Sequence, residues 1–176
     1  MRLLFKYPSG SESLEIILAT KAYESIWKSD GGNIIERFAQ YTGLHFQQDE
    51  IEVIVHDGQS MSGKDGVPMR LNVRNNTLIT KRNALIHELA HRLLFGNRLY
   101  APDDTNPTDN DEIRVLLFQG SVINDLYGEP DYLFWANLDP DQHTFDHLKD
   151  LRYVLSMSKE EQRAKIKSII AAQLKI

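Results

Sequence analysis

The stretch Leu85–Gly96, LIHELAHRLLFG, decides how this chain is read. Leu85, Ile86, Leu89, Ala90 and Leu93 recur at helical spacing and form one apolar arc, so the segment predicts an amphipathic helix with a core-facing stripe. Thr80 or Asn83 stands upstream as the N-cap, and Gly96 as the C-terminal stop near Phe95. His87 and His91 lie off the centre of that arc. Being four residues apart, they are separated by about 40° of rotation and one turn of rise, so both imidazoles project to one side. Two nitrogens so placed reach a single tetrahedral ion about 2 Å away. Glu88 sits about 100° round from His87, too displaced for an easy ligand but placed to take a proton from a metal-bound water. Zinc lowers the pKa of such a water to about 7. The competing reading is a helix with incidental, solvated histidines. Because His is uncommon, a chance H-E-x-x-H in a chain of this length is expected on the order of a percent of the time.

The rest of the composition narrows the options. A chain of 176 residues, 41% hydrophobic and 26% charged, is long enough to bury one core and is read as a single domain, 1–176. It divides into helices and sheet over about 1–80, and the active-site helix with further helices over about 81–176. With no cysteine, disulfides, thiolate ligands and a Cys nucleophile are excluded, leaving His and carboxylate for any transition metal. A net charge of −5 argues against a nucleic-acid partner. No window reaches the ~18 apolar residues of a membrane span. The opening apolar runs are interrupted by Lys6, Pro8, Glu12 and Glu15, unlike a signal peptide. The expectation is a cytoplasmic protein with no membrane partner.

Along the chain, Arg2–Tyr7 and Leu14–Ala19 flank PSGSES and are expected to pair as a hairpin. Ala22–Lys28 and Asn33–Tyr41 read as two short helices broken at SDGG, the second ending at Gly43. Ile51–Asp57 is β-branched and alternating, and Val67–Val73 is a second strand that Pro68 confines to a sheet edge or a strand start. The Asp-, Asn- and Pro-rich Asn97–Asn110 reads as a surface loop. Helices are expected over Asp111–Leu126, Gln142–Met157 and Ser158–Leu174, the last opened by a Ser158/Glu161 capping box. Strands first and helices after make an α+β domain.

At HELAH the chain resembles the zincins, zinc metallopeptidases built around such helices. The resemblance is specific over Ile86–Leu94 and looser over Glu52–Gly128. It implies a zincin-like fold in which a small mixed or antiparallel sheet packs on the active-site helix, with a mainly helical C-terminal half. It also implies a peptide or protein substrate laid along the edge strand near 67–73 by strand addition. Arg92 stands where the family usually has an uncharged residue, and is harmless if it points to solvent. Leu94 and Asn97 occupy the positions where a metzincin would carry its Gly and third His. The gluzincin arrangement, with a Glu from the next helix, fits better and resembles the small ImmA/IrrE type. It implies His87, His91 and Glu112 as ligands of Zn²⁺, although the family's usual wording around that acid is missing. Asp111 and Asp109 are rivals, and Glu112 has an alternative use in a capping box with Asp109. For the oxyanion-stabilising donor that gluzincins place distally, His143, Tyr127 and Tyr100 compete.

Other polar features carry less. His143 and His147 repeat the four-residue spacing without the glutamate, and read as a solvated face. The acidic Asp103–Asp111 loop lacks EF-hand spacing, and His56–Asp57 reads as a turn. No nucleotide loop or nucleophile elbow is present. The implied activity is therefore zinc-dependent peptide hydrolysis, with Glu88 as general base. The alternatives are a zincin-fold metal-binding regulatory module that cleaves little or nothing, and a helical interaction domain without metal.

Overall fold

The computed structural model describes residues 1–6, 13–62, 66–102, 104–128 and 145–173, with side chains of 145–148 and 173 excepted. In chain order these form β1 (Arg2–Lys6), α1 (Leu14–Thr42), β2 (Glu50–His56), β3 (Met69–Asn72), α2 (Leu78–Gly96), α3 (Asp111–Tyr127), α4 (Phe145–Ser156) and α5 (Lys159–Gln173). The class is α+β and mostly helical. No described helix is long and apolar enough to cross a membrane.

The first correction concerns the N-terminal third. Leu14–Ala19 does not pair with β1; it is the first part of α1, capped by Ser13, whose hydroxyl accepts from the Ile16 amide at 3.3 Å. Within α1 the buried Ala19, Tyr23, Ile26, Ile34 and Phe38 recur every three, four or eight residues, a helical stripe that the short apolar run at its start concealed. Nor does SDGG break the helix. Gly31 is buried against Trp27, one turn earlier, and a Cβ there would stand 2.7 Å from the indole ring. The missing side chain is what lets that ring lie along the helix. Termination falls at Gly43, as the sequence predicts, in the left-handed conformation (φ 68°) with its amide bonded to Ala39 O at 2.7 Å.

A 29-residue helix between β1 and β2 explains the second correction. Strands joined by a helical crossover lie parallel, and the sheet, ordered β1-β2-β3, is parallel throughout rather than mixed or antiparallel. Leu3 pairs with Ile51, and Val53 with Met69. Parallel sheets are usually covered on both faces; here β2 buries only Ile51, Val53 and Val55, which join the helices in one core. On the other face Glu50 and Glu52 stand exposed and pair with Arg2 and Lys6 of β1.

β3 lies at the sheet edge and starts just after Pro68. Its outward backbone groups are already bonded within the chain. Arg70 exchanges both of its hydrogen bonds with Met61 (2.8 and 2.9 Å), the Asn72 amide donates to Ser60 Oγ (3.0 Å), and Asn72 O accepts from the Tyr23 hydroxyl (3.0 Å).

α2 starts earlier than its apolar pattern suggests. Thr77, not Thr80 or Asn83, is the N-cap, and Thr77 and Thr80 bond each other's amides reciprocally at 3.0 Å. Gly96 is its last residue, where a Cβ would meet Gln47 Cγ at 3.2 Å, and the left-handed turn falls at Arg98 (φ 59°). Leu85, Ile86, Leu89, Ala90 and Leu93 are all fully buried, the arc read from the sequence. Truncating any of these leucines to alanine would cost about 2–5 kcal/mol. Arg92, harmless to the zincin resemblance had it pointed to solvent, is buried instead. It is 4% exposed and donates to Val67 O and Gln48 Oε1, fastening α2 to the chain entering β3 and to the segment before β2. α3 packs against both α2 and α1, and is tied to α1 by Arg37–Asp125 (2.9 Å). α5 opens with the Ser158/Glu161 capping box, its two bonds 2.7 and 3.2 Å long.

Candidate metal centre

Two helices build the site. α2 carries His87 and His91 on one side, and α3 delivers Glu112 from its first turn. What aims that turn is a set of bonds in the preceding loop. Arg114 donates to both oxygens of Asp109 (2.8 and 2.9 Å) and to the carbonyls of Leu99 (3.1 Å) and Tyr100 (2.7 Å). Asp111 accepts from the Ala101 amide at 2.6 Å. The N-cap of α3 is Asn110, whose Oδ1 accepts from Ile113 N at 2.8 Å and whose Nδ2 reaches Asp150 on α4 at 3.2 Å. The three acids of TDNDE thus have separate occupations. Asp109 holds Arg114, Asp111 holds the loop, Asn110 forms the cap, and Glu112 faces the histidines.

The donor atoms converge. His87 Nε2 and His91 Nε2 are 3.2 Å apart, and the Glu112 oxygens lie 3.5 Å from the first and 3.6 Å from the second. Different oxygens make the two contacts, Oε1 to His87 and Oε2 to His91, and separations of this size are close to the edges of about 3.3 Å of a tetrahedral site with bonds near 2.05 Å. His87, His91 and Glu112 are the one such cluster of His, Cys, Asp or Glu among the described residues. Their side chains are 15%, 18% and 23% exposed, which leaves an approach for solvent or a ligand.

Gln119 orients the first histidine. Its Nε2 donates to the carbonyl of Asn83 at 2.9 Å, so its Oε1 is the atom facing His87 Nδ1, also at 2.9 Å. That carbonyl-type oxygen only accepts, hence His87 Nδ1 carries the proton and Nε2 offers its lone pair toward His91 and Glu112. An outer partner of this kind fixes both tautomer and ring orientation in metal sites. Gln119 is 1% exposed and was not singled out from the sequence. The signal was there: one polar residue inside the apolar run VLLFQG, seven positions and two turns from Glu112, hence on the same face of α3.

The electrostatics favour positive charge. Burial, the largest single influence, pushes the His91 imidazole toward neutrality. Its hydrogen bond to the accepting Glu112 carboxylate and the charges of Glu112, Glu88 and Asp111 outweigh it, and the net pKa is raised. Glu88 is 4% exposed. Its charge also opposes ionisation of Tyr23, a fully buried phenol whose pKa burial raises most and to which Asn75 donates at 2.8 Å.

The oxyanion candidates separate. Tyr127 is not brought to the cluster: it lies fifteen residues beyond Glu112, about 22 Å along the axis of α3. Its hydroxyl donates to Asp30 on α1 at 2.9 Å, and the Arg82 guanidinium lies 3.4 Å over its ring. His143 falls outside the described residues. Tyr100 stands on the cluster's side, linked to His91 through the ring of Phe95.

Comparison of the chain with protein-family models, curated proteins and solved structures gives no match.

Proposed function

We propose that the chain is a zinc-dependent peptidase whose metal is held by His87 Nε2, His91 Nε2 and the Glu112 carboxylate. The observation that carries this reading is the spacing of those donor atoms, 3.2 to 3.6 Å, on an H-E-x-x-H helix. Two imidazoles and one carboxylate form the donor set of zinc sites that keep a fourth position open for chemistry. When bound there, the ion would polarise a carbonyl and lower the pKa of water to about 7. Glu88 takes the proton of the attacking water and returns it to the departing amine. Gln119 keeps His87 in the tautomer that binds metal.

A second reading has an observation of its own. The edge along which the family resemblance implies a substrate strand is bonded to Met61, Ser60 and Tyr23 within the chain. That favours a metal-binding module that presents a surface to a partner and does not hydrolyse polypeptide. Glu88→Gln separates the two. On the peptidase reading it keeps its zinc and loses metal-dependent cleavage of a denatured protein mixture, whereas His91→Ala loses both. A zinc-loaded wild type that cleaves nothing, with Glu88→Gln indistinguishable from it, would replace the peptidase by the binding module.

A further inference from the structure

We infer that Phe95 and Tyr100 form an aromatic shelf beside the metal cluster, and that it selects substrates with a large apolar side chain, aromatic above aliphatic, next to the bond being cut. The inference rests on the metal-site reading above and adds a substrate class to it.

Phe95 follows His91 by four residues and His87 by eight, so it shares their side of α2. Its ring stacks on the His91 imidazole, with centroids 5.6 Å apart and planes 21° from parallel. Tyr100 lies next in line, 5.3 Å from Phe95 at 34°. These separations fall in the 4.5–7 Å range in which aromatic pairs attract beyond simple burial. The row therefore runs outward from a metal-ligating ring toward solvent.

Tyr100 is 48% exposed although Leu99, just before it, is 2% exposed. Its exposure does not come with a loose backbone. Arg114 donates to its carbonyl at 2.7 Å, and the next amide, Ala101 N, donates to Asp111 Oδ1 at 2.6 Å. Both anchoring side chains belong to α3, the helix that delivers Glu112. The backbone at Tyr100 and the third ligand are thus positioned by one element. A half-exposed ring on a pinned backbone is a preorganised surface, because little ordering cost remains when a partner ring docks on it. Asp111, which holds the adjoining Ala101 amide, is acidic, which disfavours an acidic side chain there.

The test uses the zinc-loaded full chain and two zinc-binding probes, L-phenylalanine hydroxamate and L-alanine hydroxamate, with affinities measured by calorimetry. Both probes chelate the metal alike and differ in the ring. Wild type is expected to bind the phenylalanine compound about tenfold more tightly. In Tyr100→Ala the preference should fall below about threefold while zinc affinity is unchanged, and Tyr100→Phe should restore it. Equal affinities in wild type, or a preference that survives Tyr100→Ala, would overturn the shelf and leave the metal site standing. Failure of wild type to hold zinc would overturn the metal reading, and the shelf with it.

Discussion

Replacing Gln119 with leucine removes two hydrogen bonds of 2.9 Å and little volume. One of them holds the Nδ1 proton of His87. Without it the imidazole is free to rotate and to carry its proton on Nε2, the atom that faces His91 and Glu112. Loss of an outer partner of this kind weakens metal binding by about 10- to 100-fold, or about 1.4–2.7 kcal/mol. The second bond brings a further donor to the carbonyl of Asn83, in the second turn of α2. Each bond is worth about 0.5–1.5 kcal/mol net, so the metal-free protein should lose about 1–3 kcal/mol of folding stability. The two effects are separable with Gln119→Glu. Its carboxylate still accepts from His87 but cannot donate to Asn83, so that variant should keep zinc affinity while losing stability. The assays are competition with a chromophoric chelator for zinc, and urea unfolding of the metal-free protein. If Gln119→Leu binds zinc as tightly as wild type, the tautomer argument is refuted.

Three further outcomes follow from particular contacts. Arg92→Leu removes the bonds to the part-exposed Val67 carbonyl and Gln48 amide oxygen, and urea unfolding should show a loss of about 1–3 kcal/mol. Tyr127→Phe should cost about 1 kcal/mol through the Asp30 bond and leave zinc affinity untouched; a weakened metal site would return Tyr127 to the active site. Arg114, foremost through its hydrogen bond, holds the Asp109 carboxyl below its ordinary 3.8. A depressed folded-state pKa stabilises the fold fully above that ordinary value, and the contribution is lost as pH falls through the lowered one. Urea midpoints compared at pH 7 and pH 3 should therefore drop less in Asp109→Asn than in wild type.

Much of this fold was legible where a residue's local chemistry and its tertiary role agree. The arc of α2, the stop at Gly43, the edge position of β3 and the capping box of α5 follow from spacing and caps alone. α1 was misread because its start is a short apolar run beside a turn-rich PSGSES and its Gly31–Gly32 pair looks like a break; the Trp27 ring over Gly31 is a packing fact that local preference does not encode. The parallel sheet was missed with it, since a hairpin was expected where a crossover helix runs and the zincin resemblance implied a mixed or antiparallel sheet. At the site, His87, Glu88 and His91 were visible because one helix carries all three. Choosing Glu112 over Asp111 and Asp109 required knowing that Arg114 and Ala101 occupy the other two acids, a matter of loop geometry. The burial of Arg92 was not legible either, because its partners, the Val67 carbonyl and Gln48, come from segments distant in sequence.

The central claim is that His87, His91 and Glu112 hold one divalent ion. Zinc content by elemental analysis after dialysis against excess metal and then buffer, in wild type and Glu112→Ala, tests it most directly. The account predicts about one zinc per chain in wild type, as expected of a single closed ligand set, and little or none in Glu112→Ala. Wild type that emerges without zinc, or Glu112→Ala that retains as much as wild type, would contradict it.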